Sequence, residues 1–307
     1  MLEPVMFTGG VYKHDLIMEL VDDLGGYILQ KNVAQSEVIL LLLVPSEDMQ
    51  TLEALSKELR GELERAPLAG TEVAVVTPTL AIHHLPHTAC DTAEYLRRNG
   101  AKSNMIGLAR GVGREIAQIN EYEAALINEH DACVFIFGNF AECIRKKENL
   151  YRNISVPVVV TGGPEIPKAD MPYAFEYVPS VGRIAHRARK ATEIGSLDRI
   201  IEAVGHALDK TRADIAKDPL TTSPPRVMNA VREQVPEVEY SFSPLPIALN
   251  LTGVRVKLPF EEYKDRVKAV KFDEGVTLGE IATIKPSRMK GYILVRILPA
   301  SETGFVF

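Results

Sequence analysis

The stretch EVAVVTP, residues 72–78, decides the fold of this chain because it is a short, continuous apolar run of the kind that forms a buried strand. Similar runs occur at residues 132–137 and 156–161, with a weaker one at 104–108, and segments of helical periodicity separate them. Buried strands that alternate with helices are typical of a parallel sheet covered on both faces. We therefore expect a central α/β domain with a Rossmann-like parallel sheet over residues 70–218.

Upstream of this stretch, the chain follows the order strand, helix, strand, strand, helix. The predicted strands are residues 5–8, 27–33 and 37–44, and the predicted helices are residues 11–24 and 46–59. A further strand near Glu72 would complete the βαββαβ order of a ferredoxin-like domain. Residues 72–78 would then either close this domain or open the parallel sheet. We place the ferredoxin-like domain at residues 1–69.

Downstream of the parallel sheet, the chain changes character. Residues 221–225, Thr-Thr-Ser-Pro-Pro, predict a linker because turn-forming residues cluster there. Short alternating apolar runs such as 247–251, 255–258 and 292–298 predict strands. We expect a small mixed, β-rich C-terminal domain over residues 226–307.

Composition narrows the class of protein. The formal net charge is -6 in 307 residues, which argues against a general nucleic-acid binder because phosphate neutralisation needs a basic face. The longest apolar run, residues 38–44, is far shorter than the roughly 18 residues that a membrane helix needs. The N-terminus also lacks the basic flank and apolar core of an export signal. We therefore expect a cytoplasmic protein without a nucleic-acid or membrane partner.

The segment HHLPHTAC, residues 83–90, concentrates side chains that bind metals. It holds three of the seven histidines and one of the three cysteines, and imidazole and thiolate are ligands for zinc, copper and iron. Pro86 argues against one uninterrupted helix. We expect His87 in a loop and Cys90 near the start of the next helix, where the helix dipole favours a thiolate.

The other two cysteines differ in their surroundings. Cys143 follows Phe140 near the start of a predicted helix, in a setting similar to that of Cys90. Cys133 lies inside an apolar strand, where core packing is the expected role. The candidate metal ligands are therefore Cys90, His87 and Cys143. The alternative is that each of the two thiols serves only as a small packed side chain.

A glycine-rich segment at residues 107–114 is a candidate anion site. It precedes a predicted helix, and a turn of this kind offers free N–H groups to a phosphate. The candidate cofactor-binding residues are Arg110, Gly111, Gly113 and Arg114. Neither the dinucleotide fingerprint nor a Walker lysine is present, so a tight turn with solvated arginines stays an equal alternative.

Several long motifs spread over most of the chain resemble the methanogenesis marker protein seven family. The motifs are FTGGVYKH (7–14), APLAGTE (66–72), HHLPHTAC (83–90), AEYLRR (93–98), NMIGLARG (104–111), INEHD (127–131), FGNF (137–140) and GVRVKLP (253–259). The resemblance implies a subunit of the ATP-dependent complex that reductively activates methyl-coenzyme M reductase. It also implies partnership with methyl-coenzyme M reductase, with other methanogenesis marker proteins and with an ATPase subunit.

The resemblance further implies an iron-sulfur cluster, of a kind similar to nitrogenase-cofactor precursors. Three cysteines, one of them in a strand, cannot supply four exposed thiolates, so a cluster shared with a partner subunit is the natural form. The chain would then be a non-catalytic or electron-relay subunit. Two alternatives remain at this point: a small-molecule enzyme that binds a phosphate or nucleotide, and a purely structural adaptor.

Overall fold

A computed structural model describes residues 2–78, 88–108, 118–181, 191–241, 243, 245–272 and 275–304, without the side chains of residues 191–193. Within these residues, the strands form three sheets. Two of the sheets are antiparallel and the central one is parallel. The predicted α/β fold, with a ferredoxin-like unit, a Rossmann-like unit and a β-rich C-terminal unit, is confirmed.

The first sheet is built from the N-terminal segment. Its strands are β1 (Leu2–Gly10), β2 (Tyr27–Ala34), β3 (Glu37–Pro45) and β4 (Glu62–Arg65), and its helices are α1 (Asp15–Asp23) and α2 (Met49–Glu58). The strand order is β2-β3-β1-β4 with antiparallel neighbours. Alternate side chains of β1 and β3 face the two helices, and Phe7, Leu40 and Leu52 are buried in that layer.

The central sheet is parallel throughout. Its strands are β5 (Glu72–Thr77), β6 (Lys102–Gly107), β7 (Ala132–Ile136), β8 (Val158–Thr161) and β9 (Glu176–Val178), in the order β6-β5-β7-β8-β9. The helices are α3 (Thr88–Arg98), α4 (Glu121–Ile127), α5 (Ala141–Arg145) and α6 (Ala191–Ile215). Both faces are covered, since Val73 and Val75 pack in one apolar cluster and Ala74 and Val76 in another.

Residues 72–77 form a strand of the central sheet. Strand β5 pairs with β6 and β7, so this stretch opens the parallel sheet. The strand that closes the first sheet is β4, which pairs with β1 and carries the largely exposed sequence Glu-Leu-Glu-Arg. Of the two alternatives for this stretch, the one in which it completes the ferredoxin-like unit is excluded; β4 was not predicted, because an exposed edge strand lacks the apolar signal that marks a buried one.

The third sheet lies in the C-terminal segment. Its strands are β10 (Ile247–Asn250), β11 (Gly253–Pro259), β12 (Ala282–Pro286) and β13 (Tyr292–Ile297), in the antiparallel order β10-β11-β13-β12. The accompanying helices are α7 (Pro224–Gln234), α8 (Phe260–Lys268), α9 (Leu278–Ile281) and α10 (Ala300–Thr303). Leu29 and Leu41 of the first sheet share this apolar core.

The predicted linker at residues 221–225 is not a linker. Thr221 and Thr222 are buried, and the Thr221 N–H donates to the carbonyl oxygen of Leu298. Helix α7 begins at Pro224, and the Ser223 hydroxyl accepts from the Arg226 N–H as its cap. Ser at the cap followed by Pro at the first helical position is a helix start, which the turn-forming composition concealed.

Among the described residues, no helix is both long and apolar enough to cross a membrane.

Candidate functional site

The carboxyl ends of the parallel strands form one edge of the central sheet (the carboxyl edge), and their amino ends form the opposite edge (the amino edge). The two edges have different surroundings. The strand order reverses between β5 and β7, and this is where ligands bind in open α/β sheets, beyond the carboxyl ends of the strands. At the opposite, amino edge, residues from β5 and from the segment before β7 contact the third sheet. The carboxyl edge is therefore the expected position of a ligand-binding site.

Cys90 lies at this carboxyl edge. Helix α3 follows β5 and ends at Arg98, close before β6 begins at Lys102 at the amino edge. An eleven-residue helix spans roughly 16 Å, so its first turn lies near the carboxyl edge. Cys90 is the third residue of α3, and its side chain is exposed.

Cys143 occupies the matching position after the neighbouring strand. It is the third residue of α5, which begins soon after β7 ends at Ile136, and it is exposed. Phe140, just before α5, is 78% exposed. Arg145 at the end of α5 pairs with Asp170 at 3.0 Å and with Glu142 at 2.8 Å. β5 and β7 are hydrogen-bonded neighbours. The two exposed thiols therefore lie on helices that follow adjacent strands, at the same edge of the sheet.

Cys133 has a structural role, as predicted. It is fully buried in β7, and its thiol donates to the carbonyl oxygen of Pro157 at 3.7 Å. Burial raises the pKa of the Cys133 thiol well above its ordinary value, because a thiolate would lose its hydration there. Cys133 is thus a neutral core side chain and does not supply a ligand.

Glycines fix the loops that follow β7 and β8. The Gly163 N–H donates to the Gly138 carbonyl oxygen at 3.1 Å, which joins the two loops beside α5. A Cβ at Gly163 would collide with the Asn139 side chain, and a Cβ at Gly162 would come within 2.8 Å of the Tyr177 hydroxyl oxygen. The two loops are therefore packed closely against each other just before α5.

The remaining predicted site residues lie outside the described residues. They are His87, Arg110, Gly111, Gly113 and Arg114. Their proposed roles as a metal ligand and as an anion site stay predictions. Within the described part of the chain, no group of three or more His, Cys, Asp or Glu side chains is arranged to hold a metal ion.

The number of available thiolates limits the kind of metal site that the cysteines can form. Two exposed thiols at one sheet edge, with the third thiol neutral in the core, can supply two thiolates. An ordinary iron-sulfur cluster needs four such ligands. The described residues therefore supply too few thiolates for a complete cluster within this chain.

A buried charge network at the amino edge was not predicted from the sequence. Arg255 of β11 is fully buried, and its guanidinium donates to both Glu72 carboxylate oxygens, at 3.2 and 3.0 Å, and to Glu129 at 2.7 Å. The Ser287 hydroxyl also donates to Glu129, at 2.7 Å. An arginine within the apolar run of β11 was the available signal, but its partners lie far away in the chain.

The same network extends to two further titratable groups. Asp131 accepts from the backbone N–H groups of Glu72 at 2.8 Å and Leu251 at 2.9 Å. Burial raises the pKa of Asp131 to about 7, opposed by these two hydrogen bonds and by Arg296. Burial lowers the pKa of His130, whose Nδ1–H donates to the Leu126 carbonyl oxygen. Asp131 thus joins the central sheet to the third sheet through Leu251, whereas His130 bonds within the central unit.

Comparisons with known proteins identify relatives of the whole chain. The family described as methyl-coenzyme M reductase operon protein C matches residues 2–270. An uncharacterized protein of Methanocaldococcus jannaschii is 47% identical over 305 residues, which covers 99% of this chain and 96% of that protein.

Solved structures are much less similar. The NanR protein of Vibrio vulnificus complexed with ManNAc-6P is 12% identical with a TM-score of 0.25, covering 55% of this chain and 61% of that chain, which is less than two thirds of its length. A hypothetical protein from Methanococcus jannaschii is 12% identical with a TM-score of 0.22, covering 54% of this chain and 81% of that chain. Similarity at this level carries no conclusion about fold or function.

Proposed function

The chain belongs to the methyl-coenzyme M reductase operon protein C family, and on that premise we propose that it is a subunit of the ATP-dependent complex that reductively activates methyl-coenzyme M reductase. The motifs that resemble methanogenesis marker protein seven support this finer assignment. The chain would act in the cytoplasm with methyl-coenzyme M reductase, with other methanogenesis marker proteins and with an ATPase subunit. A partner would hold the nucleotide, since this sequence has no Walker motif.

Within that complex, the chain is a non-catalytic or electron-relay subunit that presents Cys90 and Cys143 to an iron-sulfur cluster. The observation that carries this proposal is the position of both exposed thiols in the first turns of helices that follow the adjacent strands β5 and β7. Such a cluster would supply electron transfer toward the nickel cofactor of the reductase.

The cluster would be shared between this chain and a partner. The described residues supply two thiolates, so the partner would supply the remaining ligands. A cluster of the nitrogenase-precursor type, with His87 as a further ligand from this chain, stays part of the proposal. The exposed Phe140 beside Cys143 gives the partner an apolar contact at the same edge.

Anaerobic purification from the native host tests the proposal. Tagged wild type, Cys90→Ala and Cys143→Ala are purified under the same conditions, and iron, sulfide and co-purifying chains are quantified. Cys133→Ala is the matched control, because it also removes one thiol but from the apolar core. We expect loss of iron in the Cys90 and Cys143 variants and unchanged iron in the control.

The outcomes separate three functions. Loss of iron in the two variants, together with co-purifying reductase and ATPase, supports a shared-cluster subunit. Retained iron and partners in both variants would overturn the cluster assignment and indicate a structural adaptor. Absence of the reductase and the ATPase from the wild-type preparation would overturn the assignment to the activation complex.

A further inference from the structure

Lys257 of β11 carries a positive charge for which the described residues provide no ion-pair partner. It lies two residues after Arg255 on the same side of the strand, and it is only partly exposed. Arg255 is fully engaged with Glu72 and Glu129, whereas the Lys257 ammonium donates to a neutral group, the Ser243 hydroxyl, at 2.7 Å. A desolvated ammonium without a counter-ion is unfavourable.

The charged groups around Lys257 are mostly cations. Burial and repulsion from Lys102, Arg255 and Lys290 lower the pKa of Lys257 to about 8, and attraction to Glu72 opposes this shift. Glu72 already accepts two hydrogen bonds from Arg255. Strand pairing also brings these groups together, because Lys102 of β6 is the register partner of Glu72 of β5, so one carboxylate lies among four cations.

Lys102 is the second cation of this group, and it lines a cleft. It is the first residue of β6, at the amino edge of the central sheet. The cleft is lined by residues from all three sheets and their connections, including Gln30, Thr71, Lys102 and Leu245. Leu245 also donates its N–H to the Ser243 hydroxyl that holds Lys257. The cleft therefore lies beside Ser243, the hydrogen-bond partner of Lys257.

Lys290 completes the cluster from a tight turn between β12 and β13. Its φ is 52°, and Gly291 follows with a φ of 65°, while the Tyr292 N–H donates to the Met289 carbonyl oxygen at 3.1 Å. The Phe260 N–H donates to the Gly291 carbonyl oxygen at 3.0 Å, so this turn lies beside the end of β11 that carries Lys257. Within the described residues, neither Lys102 nor Lys290 forms an ion pair with a carboxylate.

We propose that the chain binds a phosphate group between Lys102, Lys257 and Lys290. A phosphate dianion would balance three ammonium groups that form no ion pair with a carboxylate among the described residues, and lysine is a common phosphate ligand. The site lies at the amino edge of the central sheet, away from Cys90 and Cys143, so it does not depend on the shared-cluster proposal. The phosphate group could belong to free inorganic phosphate or to a phosphorylated small molecule.

Protection from acetylation tests this site on the purified full chain. An amine-acetylating reagent is applied near the pKa of Lys257, with and without inorganic phosphate at constant ionic strength, and each lysine is followed by mass spectrometry. At a phosphate concentration ten times the Kd, we expect acetylation of Lys257 to slow by about tenfold. Lys285, an exposed lysine of β12, serves as the internal control and should react at an unchanged rate.

Single lysine substitutions distinguish specific phosphate binding from a general effect of salt on stability. Phosphate should raise the Tm of the wild type and of Lys285→Met, but not that of Lys102→Met or Lys257→Met. The Lys102 variant covers the case in which the partly buried Lys257 variant fails to fold. Equal protection of Lys257 and Lys285, or an undiminished rise in Tm in Lys102→Met, would overturn the site.

A second ligand series identifies the source of the phosphate group. Glycerol phosphate and adenosine monophosphate are compared with inorganic phosphate in the same acetylation assay. Stronger protection by either organic phosphate supports the site as one for a phosphorylated small molecule. Equal or weaker protection by both, with protection by inorganic phosphate retained, supports it as one for free phosphate.

Discussion

Arg255 and Glu72 form a fully buried ion pair, with the Arg255 Nη2 atom 3.0 Å from a Glu72 carboxylate oxygen, although the two residues belong to different sheets. Glu129 shares the same guanidinium, at 2.7 Å. Glu72 opens β5 at the amino edge of the central sheet, and Arg255 lies in β11 of the third sheet. The pair therefore joins the amino end of β5 to the third sheet, which packs against the central sheet at this point.

Removing the cation of this network should destabilise the fold. Arg255→Met leaves the Glu72 and Glu129 carboxylates buried without their counter-ion, and we expect the free energy of unfolding to fall by roughly 3–5 kcal/mol. Chemical denaturation measures this change. Arg266→Met, which removes an exposed arginine of α8 paired with Glu237, is the control and should unfold like the wild type. Equal stability of the two variants would contradict a structural role for the buried pair.

Asp131 should make stability depend on pH. Its ordinary pKa is 3.8 and its pKa in the folded chain is about 7, so between these values the folded state holds a proton that the unfolded state has lost. Unfolding then releases a proton, and raising the pH lowers the free energy of unfolding by about 1.4 kcal/mol per pH unit from this group.

His130 contributes with the opposite sign, so the test compares two proteins. Burial lowers the pKa of His130 from 6.5, and a lower pH therefore favours the unfolded state, which takes up the proton. Denaturation of wild type and Asp131→Asn between about pH 5 and pH 7 isolates the carboxylate. The wild type should lose more stability with rising pH than the variant. Identical slopes would show that Asp131 does not bind the extra proton.

The three thiols should differ in their rates of alkylation. In the metal-free folded chain, iodoacetamide should modify Cys90 and Cys143, which are exposed, and should modify Cys133 only after unfolding. Peptide mass spectrometry with and without denaturant measures each site. Modification of Cys133 at the rate of the other two under native conditions would be inconsistent with its place in the core.

Phe140 should contribute to partner binding and not to folding. It is 78% exposed beside Cys143, so Phe140→Ala should leave the free energy of unfolding within about 0.5 kcal/mol of the wild type. The recovery of partner chains in anaerobic pull-downs should fall, because exposed aromatic residues dominate many interfaces. Tyr240→Ala removes an aromatic residue that is 83% exposed elsewhere and is the control. Equal recovery with both variants would place the partner on another surface.

The apolar strands were the predictable part of this fold. β5, β7 and β8 are built around short apolar runs and are buried along their whole length, and such runs are typical of strands covered on both faces of a parallel sheet. β4 escaped prediction because its exposed polar residues carry no apolar period. The start of α7 was misread because Ser and Pro serve helix starts and turns alike.

The candidate site was predictable only where chain order fixes position. A cysteine in the first turn after a parallel strand must lie near the carboxyl edge, so the placement of Cys90 and Cys143 followed from topology. The pairing of Arg255 with Glu72 depends on which sheets pack together, and no local pattern encodes a partner 183 residues away. The cation cluster around Lys257 depends on the same packing and was hidden for the same reason.

The iron-to-chain ratio of the anaerobically purified native complex tests the central claim most directly. It should be measured for the Cys90→Ala/Cys143→Ala double variant beside Cys133→Ala, with equal amounts of co-purifying partners in both. The shared-cluster account predicts that the double variant loses the iron that the Cys133 variant keeps. An unchanged ratio in the double variant would contradict it.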